Sequence, residues 1–160
     1  MNLAIVLSLA TTAIAAEPNN VGNILKENGF GWLFGKWAVI TDANQKIEAE
    51  FELGADGYAI SIEAKAGSNE HVGIVYSSPA KTILYTGIDN AGRVFAGTWE
   101  IQGDKLIINL EQTVPDGSIT RFVRYLSKVD ADTMKSVTYI VADGKRSEEP
   151  IGTLVFKRDK

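Results

Sequence analysis

From residue 46 to residue 65 the chain alternates. Ile47, Ala49, Phe51 and Leu53 are separated by Glu48, Glu50 and Glu52, and then Tyr58, Ile60, Ile62 and Ala64 are separated by Ala59, Ser61 and Glu63. A period of two sends successive side chains to opposite faces, so these segments predict strands with one apolar and one wet face. Upstream the period differs. Val21, Ile24 and Leu25 are spaced as on one helical face, with Asn19 or Asn20 able to cap its start and Gly29 able to end it. Residues 16–34 are therefore expected to form a short helix and a plug segment. Beyond them, turn signals recur at short, even intervals: Asp56-Gly57, Asn69, Pro79, Asn90, Gly103-Asp104, Asp116-Gly117, Asp130 to Asp132, and Asp143-Gly144. No helical stretch between them is long enough for a crossover, so consecutive strands must be antiparallel. Such a meander hides its edges by closing on itself. The expected fold is all-β, an antiparallel up-and-down barrel of about eight to ten strands over residues 35–160.

Two turns allow the register to be read. A two-residue turn at Gly103-Asp104 sets Trp99 opposite Ile108, Gly97 opposite Leu110 and Ile101 opposite Leu106. A four-residue turn over Val114 to Gly117 would set Leu110 opposite Arg121, Ile108 opposite Val123 and Leu106 opposite Tyr125. Together these make one mostly apolar face, expected to be the barrel interior, that includes Gly97, Trp99, Gln112, Arg121 and Tyr125. Ile107, Phe122 and Leu126 are then isolated apolar residues on the outside. A slip of one residue would invert a strand.

Composition narrows the classes further. The chain has 160 residues, 45% hydrophobic and 22% charged, which fits one globular core and excludes wholesale disorder. Lys+Arg 16 against Asp+Glu 20 gives a net charge of −4 without a basic run, so no nucleic-acid partner is expected. There is no cysteine and only one histidine, which removes disulfides, thiolate chemistry and the usual zinc ligand sets, and no cofactor or metal is expected. Leu3 to Ala15 is uncharged and apolar, too short for the roughly 20 residues of a spanning helix, and ends in Ala13-Ile14-Ala15 before a polar stretch. That pattern predicts a signal peptide over residues 1–15 of an exported, periplasmic or secreted bacterial protein with no membrane span.

Gly35-Lys36-Trp37, where the first strand begins, resembles the glycine-x-tryptophan signature of the calycin superfamily, the lipocalins and their small-barrel relatives. In that superfamily the tryptophan packs at the closed end of the barrel against a basic residue of the last strand, and Arg158 stands in phase with Leu154 and Phe156 to take that part. The second and third lipocalin motifs have no counterpart. The resemblance is closer to lipocalin-like domains of exported bacterial proteins, and implies the barrel and, by analogy, a binding role.

Within the expected interior Arg121 stands out, beside the missing side chain of Gly97. An unpaired buried charge costs several kcal/mol. Two readings stay open: Arg121 holds the acid group of a ligand, with Gln112 and Tyr125 adding hydrogen bonds and Trp99 an apolar wall, or it pairs with an acidic residue or reaches a barrel mouth. His71 is out of phase with Val72, Ile74 and Tyr76 and is expected to face outward. Glu48, Glu50 and Glu52 read as a solvated stripe, and Asp130, Asp132 and Asp143 as turn chemistry. Phe30, Trp32, Phe34 and Trp37 read as the plug of one barrel end. No nucleophile, phosphate-loop or dinucleotide motif occurs, and no catalytic residue is assigned. The expected function is binding of a small, mostly apolar molecule inside the barrel, an acidic one where Arg121 holds it. The alternatives are a protein-interaction or inhibitor module with a filled barrel, its partner unknown, and an isomerase- or cyclase-type enzyme using the lumen.

Overall fold

A computed structural model describes residues 20–159. The expected leader over residues 1–15 lies outside them. The chain opens with helix α1 (Val21–Glu27), capped by Asn20, whose side chain accepts a hydrogen bond from the Asn23 amide at 2.9 Å. Gly29, at φ +84°, ends it as expected. The helix is tied to the barrel because the Asn20 amide side chain also donates to the Asp56 carbonyl. A side chain on Gly57 would strike Asn20 Oδ1 at 2.7 Å, so that position needs glycine.

A single 3₁₀ turn, Gly31–Leu33, leads into the sheet. Its strands are β1 (Gly35–Ile40), β2 (Lys46–Gly54), β3 (Ala59–Ala66), β4 (Asn69–Ser77), β5 (Ile83–Asp89), β6 (Val94–Gln102), β7 (Lys105–Thr113), β8 (Ile119–Asp130), β9 (Thr133–Ala142), β10 (Lys145–Arg146) and β11 (Gly152–Arg158). Every pairing is antiparallel. Neighbours in sequence pair from β1 to β9, β11 pairs with both β9 and β1, and the two-residue β10 hangs on β9. Ten strands therefore close an up-and-down barrel, and closure leaves no long edge to protect.

One end of the barrel is sealed. Val21, Leu25, Phe30, Leu33 and Trp37 from the plug meet Ile60, Leu106 and Met134, all almost fully buried in one continuous core. Phe30, Trp32 and Trp37 pack ring against ring at centroid distances of 6.0 and 6.1 Å. Trp37 is buried with its Nε1 donating to the Leu33 carbonyl at 2.8 Å. Arg158, directly opposite Trp37 in the register, lays its guanidinium over the indole at 4.2 Å and donates to the Phe34 and Trp32 carbonyls at 3.0 and 2.7 Å. Gly35, at φ +112°, leaves room for that guanidinium, since a side chain there would lie 3.0 Å from Arg158 Nη1.

The β6–β7 register is the expected one, with Trp99 opposite Ile108 and Gly97 opposite Leu110. The β7–β8 register is not: Leu110 faces Phe122, Ile108 faces Arg124 and Leu106 faces Leu126. The turn between them carries one residue more than a four-residue loop. Gly117 donates to the Val114 carbonyl, closing a tight turn, and then adopts φ +87°, so that pairing begins only after Ser118. That extra residue turns the whole of β8 over.

Candidate functional site

Beyond Trp37 the barrel is not filled. A cavity of about 370 Å³ occupies the other half, bounded towards the plug by Phe51, Trp99, Leu126, Met134 and Phe156 and reaching Ile47, Ala66, Asn69, Asp89, Arg93 and Gly152 at the opposite end. Its wall is mostly apolar, with a few polar groups, as in small-molecule sites.

The inversion of β8 decides which of those polar groups are present. Arg121 points outward and pairs with Glu111, Nη2 to Oε2 at 2.8 Å, on the exposed surface. Tyr125 is also outward, edge-on to Tyr139 at 5.9 Å, with the Arg146 guanidinium 4.3 Å from the Tyr139 ring centre. Val123, opposite Tyr139, is buried on that outer side, whereas Leu126, expected outside, is core, and Phe122 shares its face. The expected inward roles of Arg121 and Tyr125 are thus corrected. Gln112 and Gly97 share the inward phase of their strands, but neither borders the cavity. A side chain on Gly97 would collide with the Asn109 carbonyl oxygen, so that glycine serves the close approach of β6 and β7. Trp99 is the one of the five expected ligand contacts that lines the cavity. It is 3% exposed, packs against Phe51 at 6.5 Å, and its Nε1 is buried without a hydrogen-bond partner.

Arg124 takes the position that Arg121 was expected to hold. It projects from the middle of β8 into the cavity, and its surface remains accessible because what it faces is the cavity space. Its Nε donates to Thr138 Oγ1 on β9 at 3.1 Å. Among the described residues no carboxylate lies within ion-pair distance of it. Burial lowers its pKa from the ordinary value, with a small opposing effect of Tyr85, but a guanidinium stays charged.

Across the lumen stands a second polar group. His71 faces inward, contrary to the outward position expected for it, and its Nε2 is hydrogen-bonded to the Tyr85 hydroxyl. The ring also meets Phe95 edge-on at 4.8 Å. The inward turn of His71 has a physical cause. On β4 the more apolar phase is the outer one, and Val72, Ile74 and Tyr76 are 53%, 49% and 39% exposed. The inner phase carries Gly73 because Tyr85 lies across it: a side chain on Gly73 would meet Tyr85 Cε2 at 2.6 Å, and one on the facing Gly87 would meet the Tyr85 hydroxyl at 2.6 Å. Two glycines opposite one another thus let the phenol lie flat along the wall and reach His71 in the next row. Burial lowers the His71 pKa, with Asp89 opposing and Arg124 and Arg93 reinforcing. Burial pushes Tyr85 up to about 12, with Arg124 opposing. Both groups are neutral at neutral pH.

Asp89, at the rim, is held by the Arg93 guanidinium and by the Ala91 and Arg93 amides, and so acts as a turn lock. Glu48, Glu50 and Glu52 are on the outer phase of β2, and Glu48 and Glu50 pair with Lys46 and Lys36. Among the described residues there is no cluster of three metal-ligating side chains, and no helix is long and apolar enough to cross a membrane.

The class of protein is an antiparallel ten-stranded barrel that is sealed at one end and holds a mostly apolar cavity in which Arg124 is, among the described residues, the one lining cation without an ion-pair partner. No protein-family model and no curated protein matches the chain.

Proposed function

We propose that this protein binds a small amphipathic monocarboxylate inside the barrel, with Arg124 holding the acid group. The observation that carries the reading is a guanidinium that faces a mostly apolar cavity with Thr138 as its hydrogen-bond partner and, among the described residues, no carboxylate within ion-pair distance. A carboxylate that enters the cavity and engages both terminal nitrogens of the fork gains two charge-assisted hydrogen bonds in a wall that is otherwise mostly apolar. Phe51, Ile62, Trp99, Met134 and Phe156 supply the wall for an apolar tail. A cavity of about 370 Å³ has room for roughly a dozen non-hydrogen atoms at the packing of a liquid, about 30 Å³ each. That is a medium-chain or aromatic acid rather than a long lipid.

The stacking of Arg158 on Trp37 beside Gly35 supports placing the barrel among the calycins, and the Leu3 to Ala15 pattern supports an exported, periplasmic or secreted protein. In that setting the reading is of a carrier or receptor for an acidic small molecule. Calorimetric titration with decanoate tests it. The native protein is expected to bind, and Arg124→Met to lose about 30-fold or more in affinity, as when one member of a buried charged pair is removed. Equal affinity in the two proteins, or no binding by the native protein to decanoate or to an aromatic acid of similar size, overturns it.

A further inference from the structure

The lumen has two polar poles. One is Arg124 on β8, and the other is the His71 and Tyr85 pair, four and three strands away on β4 and β5. Resting on the monocarboxylate reading, we infer that the ligand carries a second, uncharged oxygen, a hydroxyl or carbonyl group, that seats against Tyr85 and His71. Such a ligand is a hydroxy or oxo acid.

Three observations lead there. The pair is built into the wall: Gly73 and Gly87 both lack side chains where Tyr85 lies, and a methyl group at either would displace it. That is a costly way to place a phenol whose only purpose is to fill space, because a buried hydroxyl needs partners. The pair also keeps unused hydrogen-bonding capacity. His71 and Tyr85 share one hydrogen bond, and no other hydrogen bond to either side chain is present among the described residues. Whichever of the two donates in it, one N–H or O–H and at least one lone pair are left over. Both side chains line the cavity. The pole is uncharged as well. Burial holds His71 neutral and Tyr85 protonated at neutral pH, and the nearby Arg93 is already paired with Asp89, so the pair itself offers a second carboxylate no counter-charge.

The test is calorimetric titration at neutral pH of the full chain with decanoate, 3-hydroxydecanoate, 10-hydroxydecanoate and decanedioate, repeated on Tyr85→Phe. At least one hydroxy acid is expected to bind about tenfold or more tighter than decanoate, and decanedioate more weakly than decanoate. In Tyr85→Phe the ratio of hydroxy-acid to decanoate affinity is expected to fall to about one, and His71→Gln gives the same readout should the phenylalanine variant fail to fold. Hydroxy acids that bind no tighter than decanoate, or a preference that survives both substitutions, overturn the inference and leave the monocarboxylate reading standing. If none of the acids binds, the monocarboxylate reading falls and this inference with it.

Discussion

Arg158 and Arg124 both point into this barrel, and they live in opposite circumstances. Arg158, at the sealed end, donates to two backbone carbonyls, stacks on Trp37 and lies 3.6 Å from the Asp132 carboxylate. Arg124, in the open half, has Thr138 and a cavity. One guanidinium has its hydrogen-bonding capacity spent on holding the fold, and the other has most of it in reserve. A polar group inside the barrel that the fold already satisfies is structural, and one that the fold leaves waiting is available to a ligand.

Stability separates the two most sharply. Arg158→Met removes two charge-assisted hydrogen bonds and the contact with the indole, leaves the Trp32 and Phe34 carbonyls without their donor, and is expected to lower unfolding free energy by about 3 kcal/mol or more in urea titrations. Arg124→Met removes a cation that has no counter-charge among the described residues, so the ligand-free protein is expected to unfold at the same or a higher urea concentration. A loss like that of Arg158→Met would mean that Arg124 is also structural.

The next contrast uses pH. The folded-state pKa of His71 is lowered from 6.5, first by burial, so the unfolded chain takes up a proton that the folded chain resists. Its contribution to stability is complete above pH 6.5 and is lost as the pH falls through that value. Tyr85 acts at the other limit, because an unfolded tyrosine ionises near 10 and the folded one near 12, so stability is lost as pH rises from 10 to 12. Unfolding curves of native protein and His71→Gln should diverge below pH 7 and run parallel above it. A common pH profile would place the imidazole in open water.

The smallest effect belongs to Arg121, whose pair with Glu111 is exposed at 61% and 41% of the side-chain surfaces. Arg121→Met is expected to change stability by less than about 1 kcal/mol, as exposed ion pairs do, and to leave decanoate affinity unchanged. The contrast is informative because Arg121 and Arg124 stand only three residues apart on opposite faces of β8.

How much of this was legible in the sequence depends on the segment. Alternation over β2 and β3, the Asn20 cap and the Gly103-Asp104 turn fixed the barrel, the helix and one register, because each rests on local chemistry. The Gly35, Trp37 and Arg158 constellation likewise met where it was expected. A lumen arginine was foreseen at Arg121 and found at Arg124, since the turn after Thr113 holds one residue more than its sequence suggests and the phase of β8 is nearly ambivalent: Phe122, Arg124 and Leu126 against Arg121, Val123 and Tyr125. His71 was misplaced for a different reason. Its strand carries Val72, Ile74 and Tyr76 on the outside, continued by Ile88 and Val94 in the row of Val72, and amphipathicity reads such a strand backwards. The facing glycines that make room for Tyr85 are visible only once β4 and β5 are in register.

The most direct measurement of the central claim is the set of arginine side-chain ¹H–¹⁵N signals while decanoate is added, assigned through Arg124→Lys and Arg158→Lys. The account predicts that the Arg124 Nε–H signal moves with saturation while those of Arg158 and Arg121 stay in place. An Arg124 signal that does not move while decanoate binds, or movement confined to the outer Arg121, would contradict it.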